Sequence, residues 1–200
     1  GKSKVASIAS IFALTLTRAA GLELNATGEV LQNGKTLFRL NHPAADKIPD
    51  CAYFELLEWI RVHTGDQPDL VFRYAREIRN NDLGALGLAA KSAPTLRDSL
   101  LRLERYFRLL TDTAVYSLKE DSDPALFILE ARTPDHPALQ LRDECALAGV
   151  ADNIREFGRL LRMQGPVWGK PQRHRNQPRH PQTTKQIGGP WHLRFPHPTP

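Results

Sequence analysis

Between Pro94 and Leu110 apolar residues recur at alternating steps of four and three, so that Leu96, Leu100, Leu103, Phe107 and Leu110 share one helix face. Arg97, Asp98, Arg102, Glu104, Arg105 and Arg108 occupy the remainder, and the apolar face must therefore be buried. Thr95 and Asp98 predict a capping-box-like start, with the carboxylate reaching back toward the amides that a first turn leaves unpaired. After Thr111 and Asp112 the period shortens from about 3.6 to about 2 across Ala114–Lys119, and again across Leu126–Glu130. Asp121-Ser122-Asp123-Pro124 lies between these runs as an acidic turn, so Ser92–Glu130 predicts a helix packed on an antiparallel hairpin.

The flanking chain has the same amphipathic character. Val5–Ala20 predicts a helix with Ile8, Ile11, Phe12 and Leu16 on its richest face, ended by Gly21. Gly28–Thr36 ends in Gly-Lys-Thr, like a phosphate-binding loop, but five residues separate its glycines where that loop needs four. Asn33-Gly34 instead predicts a tight hairpin turn joining Glu29–Gln32 to Lys35–Leu40. Pro43–Pro49 reads as a linker, and Asp50 is placed to cap a helix from Cys51 to His63 with Tyr53, Phe54, Leu56, Leu57 and Ile60 inward. Pro68 opens a further helix to Arg79, and Leu83–Ala90 forms a short one in which Gly84 and Gly87 serve close packing. Ala138–Leu161 is helical, with Leu139, Leu141, Cys145, Leu147, Val150, Ile154, Phe157 and Leu161 as core candidates. The expected fold is α+β, a mostly helical domain on a small antiparallel sheet spanning 1–162.

Composition changes that picture at one place. Residues 163–200 hold eight of the 15 prolines, four of the seven histidines and two of the three tryptophans, with no sustained periodicity. Six of the 27 basic residues and none of the 22 acidic ones lie there, so the net charge of +5 belongs to this tail and the rest is nearly neutral. A disordered, basic Pro/His-rich tail from which no core can be built is the expectation. Its charge could hold phosphates without sequence preference, with Trp168 and Trp191 stacking on unpaired bases. A solvated tail explains the same composition.

Candidate chemistry is sparse. Cys51 and Cys145 form no Cys-x-x-Cys motif and suit a reducing compartment. Lys2 and Lys4 before Val5–Leu16 resemble a secretory signal, but Ser7, Ser10 and Thr15 interrupt the run, and no segment is long and apolar enough for a bilayer. Glu55, His63 and Asp66 lie close in sequence without a nucleophile or a third partner, and no catalytic residue is assigned. His174 and His180 have neither helical spacing nor companion ligands, so no metal site and no cofactor are expected.

Several short signatures nevertheless stand in a familiar order: Ile48-Pro49 before a helix, Thr64-Gly65-Asp66-Gln67-Pro68, Asn81-Asp82-Leu83-Gly84-Ala85-Leu86-Gly87, Ser92-Ala93-Pro94-Thr95-Leu96 and Arg105-Tyr106-Phe107-Arg108-Leu109-Leu110. From Ile48 to Gly158 the chain resembles the N-terminal, arabinose-binding-type sensor domain of AraC/XylS-family transcription regulators. The resemblance implies a cytoplasmic bacterial regulator whose N-terminal domain senses an unidentified small-molecule effector or forms a homodimer. DNA would be bound only through a helix-turn-helix domain that this sequence lacks. The family's sensor continues past the long helix into further strands; here the Pro/His-rich ending stands in their place. That abruptness implies an out-of-frame or otherwise foreign ending and an unpaired hairpin edge. The effector pocket is expected between the Pro94–Leu110 helix, the hairpin and the preceding helices, suited to an apolar or amphipathic molecule. Trp59, Arg73, Tyr74 and Tyr106 carry polar tips near it, but packing explains each equally well and none is assigned to the site. The competing function is a small-molecule enzyme on an α+β scaffold, for which a deep pocket of convergent, pKa-shifted groups is the discriminating feature.

Overall fold

Ile8 and Ile48 are register partners in a short antiparallel pair, and burial of both fixes the N-terminal arm to the body. The computed structural model describes residues 4–65, 69–121, 124–162, 182–185 and 191–195. In chain order the elements are β1 (Ser7–Ala9), α1 (Ser10–Ala19), β2 (Glu23–Leu24), β3 (Glu29–Gln32), β4 (Lys35–Arg39), β5 (Lys47–Pro49), α2 (Asp50–Thr64) and α3 (Asp69–Glu77). They continue with α4 (Gly84–Lys91), α5 (Leu96–Tyr106), β6 (Ala114–Lys119), β7 (Ala125–Ala131), α6 (Leu139–Arg162), β8 (Gln182–Lys185) and β9 (Trp191–Phe195). Short 3-10 turns cover Asn80–Leu83 and Phe107–Leu109. The fold is α+β, predominantly helical, with small sheets ordered β1-β5, β2-β3-β4 and β6-β7-β9-β8, all antiparallel.

The predicted Val5–Ala20 helix starts only at Ser10, and the predicted linker before α2 contains β5. An apolar run suits helix or strand equally, and here a long-range pairing decides it. The Asp50 N–H donates to the Ala6 carbonyl at 3.0 Å and the Ser10 N–H to the Asp46 carbonyl at 3.0 Å. Pro49 takes the cap position of α2, while Asp50 lies inside the helix and its Oδ1 accepts the Cys51 N–H at 2.7 Å. The Asn33-Gly34 turn forms as predicted, with φ of 50° and 76° at its two residues, the left-handed pair that a two-residue hairpin loop requires. Gly87 is needed for close approach: a Cβ there would run into the Asn80 backbone carbonyl.

The Ser92–Glu130 unit takes its expected form. Thr95 caps α5 by accepting the Asp98 N–H at 3.1 Å, while the Thr95 hydroxyl donates to Asp98 Oδ2 at 2.6 Å, so the carboxylate bonds the hydroxyl and not a backbone amide. Leu96, Leu100, Leu103 and Phe107 are buried. Tyr116 of β6 stacks on Phe127 of β7 with ring centroids 5.0 Å apart and meets Phe107 edge-on at 4.6 Å, which locks helix to hairpin.

The expectation that nothing after Met163 joins the core needs correction. β9 lies against β7 with Phe127 opposite Leu193 and Ala125 opposite Phe195, and Leu193 and Phe195 are 0% and 4% exposed. The hairpin edge expected to be bare is therefore paired, and β8 lies outside β9. Trp191-His192-Leu193-Arg194-Phe195 alternates bulky apolar with polar residues, but it is only five residues long and is hidden in proline-rich sequence. The rest of 163–200, including Trp168, His174 and His180, lies outside the described residues.

Candidate functional site

Helix α6 carries one buried ion pair in a stripe that is otherwise small or apolar. Arg142, Cys145, Ala146, Gly149, Asn153, Ile154 and Phe157 recur at helical spacing and face α3, α5 and the sheet. Gly149 permits the approach to α3: a Cβ on it would come within 2.9 Å of Ile78 Cγ2. Between α3, α5, the start of β6 and α6 lies a cavity lined by residues of all four elements. Most of its wall is hydrocarbon, supplied by Ile8, Phe12, Leu103, Phe107, Leu129 and Val150 among others. Its polar groups are Tyr53 of α2, Tyr74 of α3, Asn80, Ser99 of α5, Thr111, Thr113, Tyr116 of β6, and Arg142 and Asn153 of α6. Such a mostly apolar hollow with a few convergent polar groups is the usual form of a small-molecule site.

Arg142 is 4% exposed, and its neighbours hold it on three sides. Nε donates to Asp143 Oδ1 at 2.7 Å, Nη1 donates to Thr113 Oγ1 at 2.8 Å and to the Thr113 carbonyl at 3.3 Å, and the guanidinium carbon lies 5.6 Å from the centre of the Phe54 ring. Thr113 Oγ1 is also 2.8 Å from Thr111 Oγ1, which accepts the Thr113 N–H at 3.0 Å. Only Nη2 is left, buried and without a hydrogen-bond partner among the described residues. Burial pushes the Tyr53, Tyr74 and Tyr116 phenols upward against the pull of the Arg142 charge, so all three hydroxyls stay protonated and can donate or accept. Burial, with the nearby Glu144 charge, also raises the Cys145 thiol and keeps it neutral.

Of the four polar-tipped residues considered from sequence, only Tyr74 reaches the cavity. Trp59 is sandwiched between Phe38 and His63, with ring centroids at 5.1 and 4.7 Å, Arg105 lies over the Tyr106 ring, and Arg73 is exposed. Glu55 and His63 are exposed and Asp66 lies outside the described residues. Among the described residues no cluster of three or more His, Cys, Asp or Glu could hold a metal, and no helix is long and apolar enough to cross a membrane. Sequence reasoning missed Arg142, Tyr53 and Tyr116 as site residues. The available signal was positional, since Arg142 lies three residues before Cys145 on the face counted as core.

No curated protein sequence matches the chain. Residues 37–166, well over half of it and including nearly all of the cavity wall, match the model described as the arabinose-binding domain of AraC transcription regulator, N-terminal. The chain therefore belongs to that family of ligand-binding regulatory domains.

Proposed function

We propose that this chain is the effector-sensing and dimerising part of an AraC-type transcription regulator, with the effector held in the cavity between α3, α5, β6 and α6. The observation that carries this reading is the cavity itself, whose polar groups come from five different helices and strands and converge on a largely hydrocarbon space. An effector there touches α1, α3, α5, the sheet and α6 at once, so occupancy biases how these elements pack. The role is binding without catalysis, in the cytoplasm. Operator DNA is read by helix-turn-helix units that the described residues do not comprise.

Binding to the folded state raises its stability by mass action. A thermal-shift screen of the full chain against metabolites is expected to yield ligands that raise the melting temperature, and Ala146→Trp, which fills the cavity, is expected to abolish the rise. If the variant folds and the rise persists, the ligand binds elsewhere. Light scattering with and without a stabilising ligand tests dimerisation, which predicts twice the monomer mass.

A further inference from the structure

We infer that the hydroxyls of Tyr53, Tyr74 and Tyr116 are the polar anchor of the cavity, and that the effector is an uncharged molecule with an apolar body and one oxygen-bearing end that these hydroxyls hold. The inference rests on the proposed effector site and specifies its chemistry.

Three observations lead to it. First, all three rings line the cavity, Tyr53 is 2% exposed and Tyr74 and Tyr116 are 3% exposed, and none of their hydroxyls has a hydrogen-bond partner among the described residues. Among those residues Nη2 of Arg142 is the only side-chain nitrogen or oxygen that is both without a partner and sealed from open space, so the three phenol oxygens keep surface on the cavity they line. A hydroxyl enclosed by hydrocarbon is costly until a polar group meets it, and three on one space mark where the polar end of a ligand goes.

Second, the hydroxyls are held in place by their rings and come from three elements, α2, α3 and β6. Tyr116 packs between Phe107 and Phe127, Tyr53 meets Phe54 edge-on with ring centroids 6.1 Å apart, and Tyr74 Cε1 lies 3.7 Å from where a Cβ on Gly149 would stand. Tyr74 is near enough to both of the others that ionisation of either would raise its phenol further, and burial keeps all three protonated, each with a proton to donate. Donors fixed in this way lose little freedom when a ligand binds.

Third, the polar groups open to a ligand are uncharged. Arg142 is the only charged side chain among the described residues lining the cavity, and none of its nitrogens is free for a ligand: Nε donates to Asp143, Nη1 donates to Thr113, and Nη2 has no surface there. A carboxylate would give up its water with no cation in contact, whereas a carbonyl or alcohol oxygen needs only the phenols. A pentose stands at the other extreme, with a hydroxyl on nearly every carbon and no apolar body to set against Phe12, Leu103, Phe107, Leu129 and Ile154.

The test uses the full chain at neutral pH with acetophenone, benzoate, cumene and arabinose as probes. The first three have nearly the same shape, a phenyl ring with a short branched end, and that end is a ketone, a carboxylate or a hydrocarbon. Binding is measured by titration calorimetry on the wild type and on the variant that combines Tyr53→Phe, Tyr74→Phe and Tyr116→Phe, which removes three oxygens and no ring. Acetophenone is expected to bind the wild type more tightly than benzoate or cumene does, and to weaken by about threefold to tenfold on the variant, the value of a hydrogen bond between uncharged groups. Cumene should bind the variant at least as well as the wild type, and the variant without a probe should melt no lower than the wild type, because no bond within the protein is lost. A variant that melts lower or does not fold would show the hydroxyls to be structural and would overturn the proposal. Benzoate binding more tightly than the ketone, arabinose binding that the variant loses, or a ketone indifferent to the substitutions would overturn it too, and all of these leave the cavity as the effector site. If none of the four binds, or if binding survives Ala146→Trp, the cavity reading falls and the proposal falls with it.

Discussion

Asp112 ties the N-terminal arm to the start of β6. Its Oδ2 accepts the Ser7 N–H at 3.1 Å and the Ser7 hydroxyl at 3.2 Å, its own N–H donates to the Ser7 carbonyl at 2.9 Å, and Lys4 lies 3.5 Å from Oδ1. Burial alone would raise its carboxyl, but the Ser7 amide, the Lys4 charge and the Ser7 hydroxyl outweigh burial and hold it below the ordinary aspartate value. The Lys4 side chain is 83% exposed, so the amide and hydroxyl, not the ion pair, are the durable part of the clamp. A carboxyl lowered on folding binds its proton less readily in the folded than in the unfolded state. Its contribution is therefore complete above the ordinary aspartate range and is lost as pH falls through the folded value. Asp112→Asn should melt at a lower temperature than the wild type at neutral pH, with a gap that shrinks as the pH is taken below about 4. A gap that does not vary with pH would remove the titration from the explanation. Such side-chain links were not legible in the sequence, because Ser7 and Asp112 are 105 residues apart and Thr113 and Arg142 are 29 apart. Local pattern marks which residues are buried, but it does not identify the partner of a buried arginine.

At the scale of single elements, period was a good guide where the stretch was long and its partner lay nearby. α5, the β6–β7 hairpin and the Asn33-Gly34 turn all formed as their patterns predict, since each is specified by residues within a few positions of one another. β1 and β5 were misread for the complementary reason: three-residue strands have no period of their own and exist through each other. The α5 assignment leads to a graded prediction. Leu100 is 0% exposed and does not line the cavity, whereas Leu103 is 8% exposed and does. Leu100→Ala should cost about 2–5 kcal/mol in urea unfolding, the usual price of a hole in a close-packed core. Leu103→Ala should fall at or below the low end of that range, because one side of Leu103 already faces open space and forfeits fewer contacts. Equal losses would mean that the cavity is closed around Leu103.

For the whole molecule, the four-stranded sheet depends on a segment whose composition hides its role. β7 has two neighbours, β6 and β9, and its inward residues Phe127 and Leu129 are 0% and 2% exposed. Proline, histidine and arginine dominate the sequence around β9, so their averages masked the Trp-His-Leu-Arg-Phe alternation, and only the vacant edge of β7 gives that alternation a use. The resemblance was legible from short motifs that all lie within the body; it implied further strands after the long helix, but no motif marked Trp191–Phe195 as one of them. A chain stopped at Arg162 would leave the β7 edge with unpaired N–H and C=O groups and would uncover the apolar surface that Leu193 and Phe195 now bury. It should melt at a lower temperature than the full chain and associate as its concentration rises, with aggregates visible by light scattering before unfolding. Leu193→Asp separates the two contributions. It retains the backbone pairing but sets a carboxylate where Leu193 is fully buried, so it should lower stability while the edge stays covered and the folded protein stays dispersed. A chain ending at Arg162 that matches the full chain in both melting and dispersity would show that β9 adds nothing to the sheet.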